Sequence, residues 1–363
     1  MAKIGIILHP YGEGKPAGLG RYIFDLTKAL IENDSKNEYI VYLKKKPSDL
    51  PQFSGFNWKV EILGFGRWWR DIGLFLAPRA DIYIFNTPVM PLFFRPKKSI
   101  VIALDFAYLY FKPKGVKEEI NNFLLYKMNR FSLRRADKVV SISEATKKDV
   151  IKLFNISEEK IKVIYPGFSN ICTLSSERVD VPLNFFLYVG VIKERKNLLN
   201  IVKGFYEFKI ESKSDFKLVI AGKGRGAYYG EVQNFVKEHD LGDEVIFLGF
   251  VKDSQLSYLY KNARALVFPS LVEGFGMPVL EAMDCGLSVI TSNSSSLSEV
   301  AGGAALLVDP KKPKEISRVM EKLAFDDNLM SDLVEMGDTR VLNFSWKKCA
   351  SQFIALIDNI DNI

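Results

Sequence analysis

Ala265-Leu-Val-Phe-Pro-Ser-Leu-Val-Glu273-Gly-Phe-Gly-Met-Pro-Val-Leu-Glu281 is the stretch that decides the fold. Ala265–Phe268 is an apolar run of strand length, closed by Pro269 and Ser270. Pro278 fits the first turn of a helix over 277–285, where its missing N–H costs nothing. A strand passing through a short loop into a helix is half of a βαβ unit, and such units build parallel sheets with helices on their faces.

The same alternation extends outward in both directions. Strands are expected at Phe185–Val189 and at 216–221, 245–248 and 288–291, with helices at 197–209, 229–239 and 254–262 between them. The first half repeats the pattern. Strands are expected at 3–8, 39–43, 81–85, 99–104, 138–142 and 161–165, with helices at 19–31 and at Glu144–Phe154, where Ser143 is the N-cap. Residues 166–182 lack periodicity and read as a linker. Helices at 311–324, 327–343 and 345–357 close the chain. With 363 residues, too many for one core, this gives two parallel-sheet α/β domains.

Composition narrows the function. Charged residues at 26% and apolar ones at 48% are those of a globular protein. The two histidines, His9 and His239, are far apart, and no Asp-x-Asp triplet occurs, so no metal site is expected. Cys172, Cys285 and Cys349 are odd in number and widely spaced, which argues against a disulfide framework and for a reducing compartment. No run is long and apolar enough for a signal core or a spanning helix. The expected location is cytoplasmic, or the inner face of a membrane. The net charge of +7 divides unevenly, +10 over residues 1–180 and −3 over the rest. The basic half carries Lys44, Lys45, Lys46, Arg95, Lys97, Lys98, Lys112, Lys114 and Lys117, with Trp68, Trp69, Phe93 and Phe94 among or near them. Two readings stay open for it: a face resting on an anionic membrane, or solvated lysines around core aromatics. No nucleic-acid reading module is present.

Four loops carry chemistry. In the opening stretch, Glu273 falls in the strand–helix loop and Glu281 about one turn into the helix, beside an N-terminus suited to anions. Gly274 and Gly276 allow close backbone approach. Two carboxylates beside an anion site suit a ligand rich in hydroxyls and phosphate. In Tyr188-Val-Gly-Val-Ile-Lys-Glu-Arg-Lys-Asn197, Arg195 and Lys196 follow Gly190 at a helix start and would hold a diphosphate. Gly222-Lys-Gly-Arg-Gly-Ala227 matches the dinucleotide fingerprint G-x-G-x-x-A, but Asp243 and Glu244 stand at the wrong end of the next strand. The glycine-rich Gly12-Glu-Gly-Lys-Pro-Ala-Gly-Leu-Gly-Arg-Tyr22 links the first strand to the first helix.

These residues resemble glycosyltransferase family 4, metal-independent retaining enzymes of the GT-B fold. The resemblance also rests on Val140-Ser-Ile-Ser-Glu-Ala-Thr146, Tyr165-Pro-Gly167, Gly249-Phe-Val251 and Asn343-Phe-Ser-Trp346. It implies two Rossmann-like domains facing a cleft. Residues 1–170 would bind the acceptor, 171–345 the nucleotide-sugar, and a final helix over about 346–363 would cross back. Arg195 and Lys196 would hold the donor diphosphate, Glu281 the ribose, and Glu273 the transferred sugar. Backbone around Phe275, Gly276, Met277, Val279 and Leu280 would contact sugar and phosphates. Gly190, Phe250 and Val251 would line the donor site, the last two beside the base, while Gly18 and Gly20 would approach from the other domain. Cofactors are expected to be none, with a nucleotide-diphosphate sugar as donor and a saccharide or lipid-linked acceptor. One departure stands out: the family's His-Asp pair reads Leu104-Asp105 here. Asp105 and His9 are then the residues expected near sugar or acceptor. Two alternatives follow: a donor-binding subunit without turnover, suggested by Leu104, and a nicotinamide-dependent oxidoreductase built on Gly222–Ala227.

Overall fold

The computed structural model describes residues 1–11 and 18–360, apart from the side chain of Arg67. The loop glycines and charges between 12 and 17 lie outside the described residues. The chain folds into two compact units, Met1–Gly167 with Phe344–Ile363, and Phe168–Asn343.

The first unit runs β1 (Lys3–Ile7), α1 (Gly18–Asn33), β2 (Glu38–Leu43), β3 (Trp58–Ile62), α2 (Leu74–Leu76), β4 (Ile82–Phe85), β5 (Lys98–Ala103), α3 (Val116–Arg135), β6 (Lys138–Ser141), α4 (Glu144–Phe154) and β7 (Ile161–Val163). Among the described residues its strands form one parallel sheet in the order β3-β2-β1-β4-β5-β6-β7. β4 and β6 are buried at every position, as expected of strands covered on both faces. Ser143 caps α4 by accepting from the Thr146 amide at 3.0 Å. Asn155, in the left-handed region, ends that helix.

The second unit runs β8 (Phe185–Val189), α5 (Leu198–Ser212), β9 (Lys217–Ala221), α6 (Ala227–Glu238), β10 (Val245–Gly249), α7 (Asp253–Asn262), β11 (Ala265–Phe268), α8 (Met277–Asp284), β12 (Val289–Ser292), α9 (Leu297–Ala301), β13 (Leu306–Val308), α10 (Pro313–Phe325) and α11 (Asp327–Val341). Its parallel strands are ordered β10-β9-β8-β11-β12-β13. Its core packs Phe186, Phe205, Phe208 and Phe216 around Leu218 and Ile220.

The chain then returns to the first unit as α12 (Trp346–Asp358), capped by Ser345 and packed along α1, with Trp346 against Tyr22. The return point meets the departure point. A methyl group on Gly167 would overlap the Trp346 backbone nitrogen, so only glycine fits there.

Three findings depart from the sequence expectations. The 20-residue α3 falls outside the expected elements, as do the short strands β3 and β13. Most of 166–182 is attached to the second unit rather than spanning a gap. Ile171 is buried, and Glu177 accepts from Ser254 Oγ and Gln255 Nε2, both at 3.0 Å. Cys172 and Cys285 form a disulfide with Cα atoms 5.5 Å apart, against the expectation of no disulfide framework and a reducing compartment. Among the described residues, only buried Cys349 is free. The two partners are 113 residues apart, and the turn after the crossing meets the end of α8 only in the fold. The aromatics left open between surface and core divide: Trp69 and Phe94 are buried, whereas Trp68 and Phe93 are exposed.

Candidate active site

The order of the second sheet reverses between β8 and β11. From β8 the chain winds outward through β9 and β10, then returns to β11 on the other side. Loops leaving the carboxyl ends of two such strands diverge and open a crevice, where α/β sheets bind ligands. The loop after β8 carries Gly190, Arg195 and Lys196. The loop after β11 carries Glu273.

These side chains converge. Lys196 Nζ lies 2.5 Å from Glu273 Oε1, and Arg195 Nη1 lies 3.0 Å from Glu273 Oε2. Lys196 also stands over the Phe268 ring at 4.5 Å, and Arg195 reaches the Val272 carbonyl at 3.3 Å. Burial works to raise the Glu273 carboxyl, but Lys196 and then Arg195 outweigh it and hold its pKa below the ordinary glutamate value. The three groups carry a net positive charge, with Arg195 28% exposed and Glu273 8%.

The backbone fixes this geometry. Asn197, buried and in the left-handed region, donates from Nδ2 to the Pro269 and Pro310 carbonyls at 2.9 and 2.6 Å. The Leu271 amide bonds the Arg195 carbonyl at 2.8 Å, which ties the two loops directly. Ser295 Oγ accepts from the Glu273 amide at 3.1 Å and donates to its carbonyl at 2.6 Å, while Ser296 Oγ bridges the Glu273 and Phe275 carbonyls at 2.9 and 2.8 Å. Gly276 has φ +118°, and a side chain there would strike Leu297. Asn197, Ser295 and Ser296 are not among the residues the sequence singles out. The faint signal is a serine run, Ser294 to Ser296, just beyond β12, at the same sheet edge as the acidic loop.

Glu281 is buried on α8 and accepts from Tyr260 Oη at 3.2 Å, a partner with no signal in the sequence. The side chains of Phe275, Val279 and Leu280 are packed inside, so their backbone alone can meet a ligand, whereas Met277 is half-buried. Phe250 is exposed with Lys223 over its ring at 5.5 Å, and Val251 beside it is half-buried.

Gly222 and Gly224 serve packing. A methyl on Gly222 would overlap the Gly190 carbonyl oxygen, and one on Gly224 would enter the Tyr229 ring. Gly190 and Ile192 bond the Ala221 and Lys223 carbonyls at 3.0 and 2.9 Å. The G-x-G-x-x-A pattern thus presses the loop after β9 against the loop after β8.

In the first unit the sheet order reverses between β1 and β4. His9 follows β1, half-buried, 5.2 Å from the Trp69 ring, and its carbonyl accepts from Asn86 Nδ2 just beyond β4. Gly18 and Gly20 open α1, the first exposed and the second buried. Leu104 is half-buried past β5 and Asp105 is exposed, accepting from the Ala107 amide at 3.1 Å.

Two Rossmann-like parallel-sheet units, the second with a cationic cluster at its switch point, define the GT-B fold. The family models described as "Glycosyltransferase Family 4" and "Glycosyl transferases group 1" match residues 16–169 and 175–340. The chain belongs to glycosyltransferase family 4. Among curated relatives, the O-antigen chain mannosyltransferase B of Escherichia coli is 28% identical over 75% of this chain and 73% of its own. The serotype-specific mannosyltransferase WbdA of Escherichia coli is also 28% identical, over 76% of this chain, which spans only 35% of that longer protein. The N-acetylgalactosamine-N,N'-diacetylbacillosaminyl-diphospho-undecaprenol 4-alpha-N-acetylgalactosaminyltransferase of Campylobacter jejuni is 25% identical over 96% and 98% of the two chains. Among solved structures, sucrose-phosphate synthase from Thermosynechococcus elongatus superposes over both whole chains with a TM-score of 0.78 at 18% identity. Family membership sets aside the oxidoreductase alternative.

Proposed function

We propose that this glycosyltransferase moves mannose, with retention of anomeric configuration and without a metal, from a nucleotide-diphosphate donor to a lipid-linked saccharide in cell-envelope glycan synthesis. The carrying observation is the Arg195–Lys196–Glu273 cluster at the switch point. Two preorganised cations beside a developing diphosphate stabilise the leaving group as the glycosidic bond breaks, the role a metal clamp fills elsewhere. Glu273 faces the sugar and holds both cations in place before the donor arrives. Glu281 takes the ribose hydroxyls, and Lys223 with Phe250 flanks the base. The first unit is assigned the acceptor side, with His9 and Asp105 as its proposed sugar or acceptor contacts. Mannose and a lipid-linked acceptor draw support from the names of the relatives. A lipid-linked acceptor would bring the enzyme to a membrane surface, and we place it on the inner face; no described helix is long and apolar enough to cross a membrane.

The test is transfer from a panel of nucleotide-diphosphate sugars, with the product anomer read by proton NMR and a chelator present in one arm. Retained configuration, mannose preference and indifference to chelator are expected. An inverted product refutes the retaining assignment, loss of turnover on chelation refutes the metal-free one, and preference for another sugar refutes mannose. Leu104 has no polar group where the family resemblance implies histidine, which favours the second reading of a donor-binding subunit; that reading predicts donor binding with neither transfer nor donor hydrolysis.

A further inference from the structure

The Glu281 carboxylate is held by a side chain from a neighbouring helix. Glu281 is 6% exposed on α8, and Tyr260, 1% exposed on α7, donates from Oη to Glu281 Oε2 at 3.2 Å. α7 leads into β11 and α8 follows it. Leu256, Leu259 and Tyr260 turn one side of α7 inward. A third segment fastens both helices. Ser176 Oγ and Ser257 Oγ of α7 are 3.0 Å apart, and Lys261 Nζ donates to the Cys172 carbonyl at 2.9 Å. The Cys172–Cys285 bridge ties the same segment to the end of α8. The phenol and the carboxylate therefore meet across two helices whose spacing is set at several points.

This pairing suits a carboxylate that has a ligand to receive. A glutamate side chain turns about three bonds, and fixing them is an entropic cost that weakens any ligand left to bear it. Tyr260 fixes them before a ligand arrives. A neutral phenol does so without cancelling the charge, so the carboxylate keeps its attraction for hydroxyl donors. A carboxylate accepts about four hydrogen bonds, and the bond to Oε2 does not have to break when a diol binds. The cis hydroxyls of a ribose present two donors side by side, which a carboxylate held in one orientation can accept together.

We propose that Tyr260 is a positioning residue for the donor, aiming the Glu281 carboxylate at the ribose diol. The inference rests on the assignment of Glu281 to the ribose proposed above and names the group that orients it. Tyr260 touches no substrate in this scheme and acts through Glu281. The competing account is that Tyr260 fills the core and takes Glu281 as the partner its buried hydroxyl needs. The two differ in one respect: an aiming role concerns only ligands that carry the diol.

The experiment is calorimetry of the whole protein with guanosine, uridine, adenosine and cytidine diphosphates, the tightest binder then being compared with its 2′,3′-dideoxy form. Wild type is expected to favour the parent nucleotide about 100-fold, for two hydrogen bonds to a charged group. Tyr260→Phe should reduce that preference to about tenfold, through weaker binding of the parent alone. Glu281→Ala should reduce it at least as far. Adding Tyr260→Phe to Glu281→Ala should leave the preference where it is, because the phenol acts only through the carboxylate. Phenylalanine keeps the core filled, and both affinities are read on one sample, so a lost folded fraction cancels in their ratio. The proposal is overturned if Tyr260→Phe keeps the wild-type preference, or if it weakens parent and dideoxy nucleotide alike, as a packing role would. The two claims separate cleanly. A preference that Glu281→Ala abolishes and Tyr260→Phe leaves intact refutes the aiming role and leaves the ribose assignment standing. Equal affinity of wild type for parent and dideoxy nucleotide, or no binding of any of the four diphosphates, refutes the ribose assignment and the aiming role with it.

Discussion

The carboxylate of Glu273 lies out of water between Lys196 at 2.5 Å and Arg195 at 3.0 Å. Burial opposes its charge and the two cations restore it, so its folded pKa falls below that of the unfolded chain. A depressed carboxylate adds stability that is fully present above the ordinary glutamate range and is lost as pH falls through the lowered folded value. Glu273→Gln should therefore cost about 2–3 kcal/mol at neutral pH, within the range for hydrogen bonds to charged groups. That deficit should shrink toward zero in acid, as the wild-type carboxyl itself becomes neutral. Urea midpoints of both proteins at neutral and acid pH check this, and an unchanged deficit across the range would refute the ion-pair account. Turnover should fall in the same variant while free nucleotide diphosphate still binds, because Arg195 and Lys196 remain.

At the scale of elements, the glycines after β9 set how closely two loops approach. Gly222→Ala drives a methyl into the Gly190 carbonyl oxygen, against backbone that cannot swing aside. The loops must separate, at a cost of about 3 kcal/mol, and Arg195 and Lys196 move with the displaced loop. A lowered melting temperature together with weakened donor binding is the expected result; a variant that melts and binds like wild type would show that the contact is unimportant. Elements of this kind are legible to different degrees. β8, β11 and α4 can be read from the sequence to the residue, because apolar runs bounded by proline, glycine or a serine cap leave little choice. α3 cannot, because its outward stripe mixes apolar and cationic side chains while its buried side holds Asn129 and Ser132. β3, partly exposed at the sheet edge, and three-residue β13 lack a clear signal for the same reason: little of either is buried. In the site, the charged residues announce themselves through loop position. Ser295, Ser296 and Asn197 do not, since a hydroxyl or amide that braces a neighbouring backbone looks like any turn residue.

For the molecule as a whole, the Cys172–Cys285 bridge joins the segment just past the crossing to the end of the helix that carries Glu281. A native disulfide typically adds about 2–4 kcal/mol, mainly by constraining the unfolded chain. Cys172→Ser should lower stability by that amount, and thiol titration of the oxidised protein in denaturant should find one reactive thiol, Cys349. Three thiols under non-reducing conditions would refute the bridge.

The close approach of Gly167 to Ser345 and Trp346 has a consequence of another kind. The point where the chain leaves the first unit touches the point where it comes back, so the second unit is a single insertion in an otherwise continuous host. Under the proposed division of labour, that insertion carries donor recognition and the host carries acceptor recognition. One recombination event replacing the middle of the gene would then exchange the sugar that is delivered and leave the glycan that receives it unchanged. A cell could diversify its surface by shuffling cassettes instead of accumulating point changes in a finished active site.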